Sequence, residues 1–174
     1  MKYLFVIIII LLSISLRKAS HPLVELYLLN KRVKETIPRN PNFPKGVPTF
    51  FLAKRADLID TPLINDSEIL GYDSSKFLIQ FSRSAAKKIY DLSVPLDGGV
   101  QFALAVDKQP IISGYFMNRI TSNDIISFTI VNSIDSIKYL RSNIKLSDFG
   151  IEEKRNDPTL LNAFKITNRL KQLK

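Results

Sequence analysis

Two hydrophobic periods divide the chain. VELYLLNKRVKE (24–35) opens with Val24, Leu26 and Leu28 on one side, the two-residue period of a strand. IPRNPNFPKGVP (37–48) carries four prolines and a glycine, which predicts an irregular connection. TFFLAKR (49–55) predicts a strand, and TPLINDSEI (61–69) a turn with a short helical start at Asp66 or Ser67. KFLIQFS (76–82) predicts a strand, with Phe77, Ile79 and Phe81 opposite Leu78 and Gln80. In SRSAAKKIYDL (82–92) the period lengthens to that of a helix. Ser82 is its cap, and Ala85, Ala86, Ile89, Tyr90 and Leu92 cover one broad face. VPLDGG (94–99) ends it.

VQFALAV (100–106) and IISGYFM (111–117) flank Asp107–Pro110 and predict a hairpin. Pro110 has no N–H to give a ladder. DIISFTIV (124–131) predicts a strand whose Ile126, Phe128 and Ile130 face the core. NSIDSIKYLRSNI (132–144) predicts a helix capped by Asn132 or Ser133, with Ile134, Ile137, Leu140, Arg141 and Ile144 at helical spacing. Asp157 and Pro158 start a last helix, whose stripe is Leu160, Leu161, Phe164, Leu170 and Leu173. Strand, helix, three strands and helix over 76–144 approach a split β-α-β layout. The expected class is α+β, ferredoxin-like, an antiparallel sheet with helices packed on one face.

The expected organisation is a signal peptide or N-terminal membrane anchor (1–20), a strand plus Pro-rich connection (21–48), an α+β domain (49–150) and a C-terminal amphipathic basic helix (151–174). Lys2 precedes an unbroken apolar run over 3–12, and Ser13 and Ser15 have the spacing of a cleavage site. This run is short for a membrane span, which takes about 20 residues. The expected location is therefore periplasmic or otherwise extracytoplasmic, at the envelope and with membrane anchoring as the alternative fate of the segment.

The 174 residues are 45% hydrophobic and 24% charged, enough for one packed domain. There is no cysteine, which excludes thiol chemistry, disulfides and Cys-based zinc sites. The single histidine, His21, cannot build a His-based triad or a two-His metal site. The formal net charge is +9, and between residues 17 and 55 nine basic residues stand against Glu25 and Glu35. That balance favours anionic partners.

The span from about 49 to 146 resembles the periplasmic head region of SecD, the membrane subunit that assists protein export. The likeness is carried by KFLIQFSRSAAKKIYDLS, FALAVDKQPIISGYFMNRI, SNDIISFTI and a segment closing on YLRSNIKL. Asp107, Ile111, Ser113, Asn118, Ile120 and Leu140–Arg141 occupy the positions of the SecD-like pattern. Lys108 replaces the usual turn glycine, Gly114–Tyr115 an Ala-Pro pair, and Phe128–Thr129 a strand-ending glycine. The closing segment KRNDPTLLNAFKITNRLK is similar to that of stand-alone exported bacterial proteins. The resemblance implies a ferredoxin-like α+β fold; it does not imply motor or proton-coupled activity, since the membrane helices that make SecD a translocation subunit are missing.

Asp107 is a candidate general base, but a lone acid at a hairpin turn is also what turn geometry selects. Ser113 and Asn118 are candidates for ligand contact or cross-strand bonding. Asp57, Asp60, Asp66 and Glu68 lack the spacing of a calcium loop and read as solvated. Tyr115 and Phe116 are neighbours in a strand, so one is expected in the core and the other exposed toward a partner, together with Asn118. Lys165, Arg169 and Lys171 are the candidate membrane-surface contacts. No catalytic set, cofactor or metal is assigned. The expected function is a non-enzymatic envelope binding domain for polypeptides or an envelope partner, not nucleic acid. The alternative is a membrane-surface protein held by its N-terminal segment and basic patches.

Overall fold

The computed structural model describes residues 21–34, 51–95, 99–118, 128–132, 143–145 and 152–171. The fold is α+β, built from two sheets. The first has the order β1 (Val24–Leu28), β4 (Val100–Val106), β5 (Gln109–Asn118) and β6 (Phe128–Asn132). The second has the order β2 (Ile69–Asp73), β3 (Leu78–Phe81) and β7 (Asn143–Lys145). Helix α1 (Arg83–Tyr90) follows β3, and α2 (Glu152–Arg155) and α3 (Pro158–Ile166) close the described chain.

The expected single antiparallel sheet is thus divided in two, and β5 and β6 pair in parallel, Tyr115 against Thr129. β3 is flanked by β2 and β7 and so has no side left for the β4–β5 hairpin, while the helix after it starts as expected, the Ser82 hydroxyl accepting from the Ala85 N–H at 3.1 Å. One core fills the space between the sheets. β1 contributes Val24 and Leu26, β3 Ile79 and Phe81, β4 Phe102 and Leu104, α1 Ala85 and Ile89, and α3 Leu160 and Phe164. Burying each large side chain of this kind stabilises the fold by roughly 2–3 kcal/mol.

The β4–β5 hairpin closes through two residues, since Val106 pairs with Gln109. Asp107 (φ 50°) and Lys108 (φ 62°) are both left-handed, the geometry whose twist suits a two-residue hairpin. The turn is therefore tighter than the expected Asp107–Pro110. Pro110 is accommodated where the register shifts, between Leu104 and Ala105 of the partner strand.

β2 is absent from the expectation because Gly71 and Asp73 break its pattern. A Cβ on Gly71 would lie 3.2 Å from Lys171 Cδ, so the lysine side chain would have to give by a few tenths of an ångström. After β2, the Asp73 carboxylate accepts from the Ser75 N–H at 3.0 Å, the Ser75 hydroxyl at 2.6 Å and the Lys76 N–H at 3.2 Å. That turn places Phe77 at φ 52°, ahead of β3 and not within it as the expected 76–82 strand has it, yet fully buried beside Tyr72.

Three further expectations change. Residues 51–54 form no strand, because they cross a sheet face, where their N–H groups meet side chains and find no ladder. Asn132 lies in β6, and Ile144 lies in β7 opposite Ile79, so both ends of the expected 132–144 helix are strand. Pairing along the β3 edge outweighs helical spacing there. The last helix ends at Ile166 because Asn168 turns left-handed (φ 54°), and the Arg169 N–H returns to the Phe164 carbonyl at 2.8 Å. The segments 1–20 and 37–48, most of the 132–144 helix and the first part of the 124–131 strand lie outside the described residues. No helix among the described residues is long and apolar enough to cross a membrane.

Lys108→Gly is expected to stabilise the protein by about 0.5–1 kcal/mol, by removing a side chain from a left-handed position. Denaturant unfolding of both proteins measures it.

Candidate functional site

The hairpin has two buried faces. Phe102, Leu104 and Val106 point to the main core, so Gln101, Ala103 and Ala105 point the other way. On that second face Tyr27, Leu58, Ala103 and Ala105 pack together, and Phe51 meets Tyr115 edge-on with ring centroids 5.1 Å apart. The alanines keep this face low, which lets residues 29–33 and 51–58 lie across it.

Side chains hold those two crossing segments. Gln101 presents its amide to Val33 as a peptide group would: Oε1 accepts from the Val33 N–H at 2.7 Å, and Nε2 donates to the Val33 carbonyl at 3.0 Å. Nε2 also lies 3.2 Å from the Tyr115 hydroxyl. Ser113 Oγ accepts from the Ala53 N–H at 3.0 Å. The segments are tied to each other by the Asn30 N–H on the Asp57 carbonyl at 2.9 Å and Asn30 Nδ2 on the Ala56 carbonyl at 3.1 Å. Burial, then the hydrogen bond to Glu25, pushes the Tyr27 phenol above its ordinary pKa. Burial does the same for Tyr72, whose hydroxyl donates to the Arg155 carbonyl at 2.8 Å.

This arrangement corrects the expected aromatic contact patch. Tyr115 and Phe116 are both buried, on opposite faces, because both faces are covered. Asn118 lies at the end of β5, level with Asn132 of β6. Ser113 holds a loop and not a neighbouring strand. Gln101, which organises the covered face, carries no sequence signal beyond a polar residue in an apolar strand.

The acids are engaged. Asp107 accepts from the Leu23 N–H at 2.9 Å, and its own N–H donates to the Leu23 carbonyl at 2.9 Å. Asp57 accepts from the Lys54 N–H at 2.8 Å. Asp66 and Glu68, expected to be solvated, are paired. Burial would raise Glu68, but Lys88 at 2.7 Å, the Asn65 N–H and the Ser84 hydroxyl outweigh it and hold the carboxyl below its ordinary pKa. Among the described residues, no group of three or more His, Asp or Glu is placed to hold a metal ion.

The basic candidates separate. Lys165 and Lys171 are exposed. Arg169 is not available to a bilayer: its side chain is 14% exposed and reaches the Asp66 carboxylate at 2.6 Å. It also donates to the Asp66 and Ile69 carbonyls at 2.7 and 2.8 Å and lies over the Phe164 ring. Compared with known proteins, the chain matches no family model, no curated protein and no solved structure.

Gln101→Ala is expected to cost about 2 kcal/mol, since it strips partners from both polar groups of Val33. Hydrogen exchange at the Val33 amide should quicken along with a lower denaturation midpoint. An unchanged Val33 amide would show that the clamp is not what holds this segment.

Proposed function

We propose that the protein is an exported, non-enzymatic binding domain of the cell envelope, resembling the SecD head region, which contacts polypeptides or an envelope partner. The location rests on the apolar segment at 3–12 with its following small residues. The ferredoxin-like plan enters through the strand, helix, strand, strand order of β3, α1, β4 and β5, along which the first two of the four SecD-like stretches fall. The absence of catalysis is part of the proposal. Its support is that Asp57, Asp66, Glu68 and Asp107 each serve a hydrogen bond or ion pair inside the fold.

The observation that directs the contact surface is the state of the sheet edges. Both faces of the hairpin are covered. The outer edge of β1 already bridges to Ile64 and Leu58, and that of β2 to Leu170. Among the described residues β6 and β7 end the two sheets, and β6, with five residues against three, is the longer edge. An extended polypeptide added there would gain main-chain hydrogen bonds independent of its sequence, which suits a binder of unfolded or exported chains.

A photo-crosslinking residue at Thr129 in β6, with one at Lys87 on α1 as control, tests this in intact cells. Adducts with exported polypeptides or Sec subunits at position 129 and not at 87 are expected. Equal adducts at both positions, or none at 129, would overturn the edge reading.

A further inference from the structure

A second surface emerges where the two crossing segments meet. Along 31–34, Lys31, Arg32 and Lys34 are exposed and Val33 is turned inward onto Gln101. Along 51–55, Phe51 is buried and Ala53 half-buried, while Leu52, Lys54 and Arg55 are exposed. Val33, Phe51 and Ala53 pack in one cluster with Tyr115, so the outward residues of the two segments share one surface. None of the five cations forms an ion pair among the described residues. The nearby carboxylates are committed elsewhere, Asp57 to the Lys54 N–H and Glu25 to the Tyr27 hydroxyl. Five cations against these two carboxylates leave a net positive surface, and an anionic partner would relieve the repulsion among them.

Leu52 selects among anionic partners. It is 52% exposed in the middle of this basic surface. Among the described residues the aromatic side chains of the same region, Tyr27, Phe51 and Tyr115, are all buried, so none of them is offered for stacking on a base. Cations around an exposed aliphatic side chain fit the headgroup and upper acyl region of an anionic bilayer. We propose that Lys31, Arg32, Lys34, Leu52, Lys54 and Arg55 form a docking face for a membrane surface bearing anionic lipid. This face replaces the C-terminal basic residues as the site of membrane contact, and it is independent of polypeptide binding at β6.

The position of the face makes the proposal separable from insertion of the N-terminal segment. That segment enters the fold at Leu23, which is bonded to Asp107 at the hairpin turn. The turn lies about 20 Å along β4 from Gln101 and the docking face. The chain has no cysteine, so single labels are unambiguous. Full-length Leu52→Cys and Lys108→Cys proteins, each carrying an environment-sensitive fluorophore, are mixed with vesicles of phosphatidylcholine alone or with phosphatidylglycerol.

The label at 52 is expected to shift to the blue only with phosphatidylglycerol vesicles, and to lose the shift in high salt. Adding Arg32→Glu and Lys34→Glu should weaken vesicle docking read at 52 by about tenfold or more. A shift at 108 without one at 52 would assign contact to the N-terminal segment alone and overturn the proposal. So would an equal shift at 52 on neutral vesicles, or a shift produced by a single-stranded oligonucleotide and not by vesicles. None of these results bears on crosslinking at β6.

Discussion

The Asp66 carboxylate joins three stretches that are far apart in sequence. Its Oδ1 accepts from the Val24 N–H at 2.7 Å, where β1 begins, and from Arg169 at 2.6 Å, just beyond the last helix. Arg169 also donates to the Asp66 and Ile69 carbonyls, which fixes the turn leading into β2. Its own carbonyl accepts from the Tyr72 N–H, and the Lys171 N–H returns to the Tyr72 carbonyl, both at 2.8 Å. The C-terminal stretch therefore lies along β2, and α3 is drawn onto the core with Leu160 and Phe164 inside. A planar guanidinium spreads its donors over three nitrogens and here meets the Thr167 hydroxyl, two carbonyls and a carboxylate, four acceptors against the three N–H donors of a lysine.

That closure changes what the surface can offer. A C-terminal helix with a basic side has the appearance of a membrane-lying element. Here its end is a clasp, and its most central cation is spent inside the fold. The hairpin is covered in a similar way on the face away from the main core, by segments held with Gln101 and Ser113. The aromatic residues of the SecD-like stretch are framework, and the proposed contact surfaces lie elsewhere, at the β6 edge and on the basic face around Leu52.

Local signals in the sequence located much of this. The Ser82 and Asp157 caps, the 24–28 strand and the hairpin follow from patterns within a few residues of each other. The fold class was legible for that reason. What was not legible depends on partners distant in the chain. β2 is completed by the C-terminal stretch, which bridges it at Tyr72, and Ile144 joins a strand because β3 has an edge to fill. Tyr115 and Phe116 show the limit of alternation. It assigns them to opposite faces and is silent on whether both faces are covered. The pairing of Asp66 with Arg169 spans 103 positions and has no local signature.

The central claim is that the C-terminal stretch belongs to the fold through Asp66 and Arg169. A double-mutant cycle on the full chain tests it most directly, with Asp66→Ala, Arg169→Ala and the pair compared by denaturant unfolding. The account predicts a cost of about 2–4 kcal/mol for each single change and a coupling of at least about 1.5 kcal/mol between them. An Arg169→Ala protein as stable as the parent, with coupling near zero, would contradict it and return Arg169 to the solvent-facing surface.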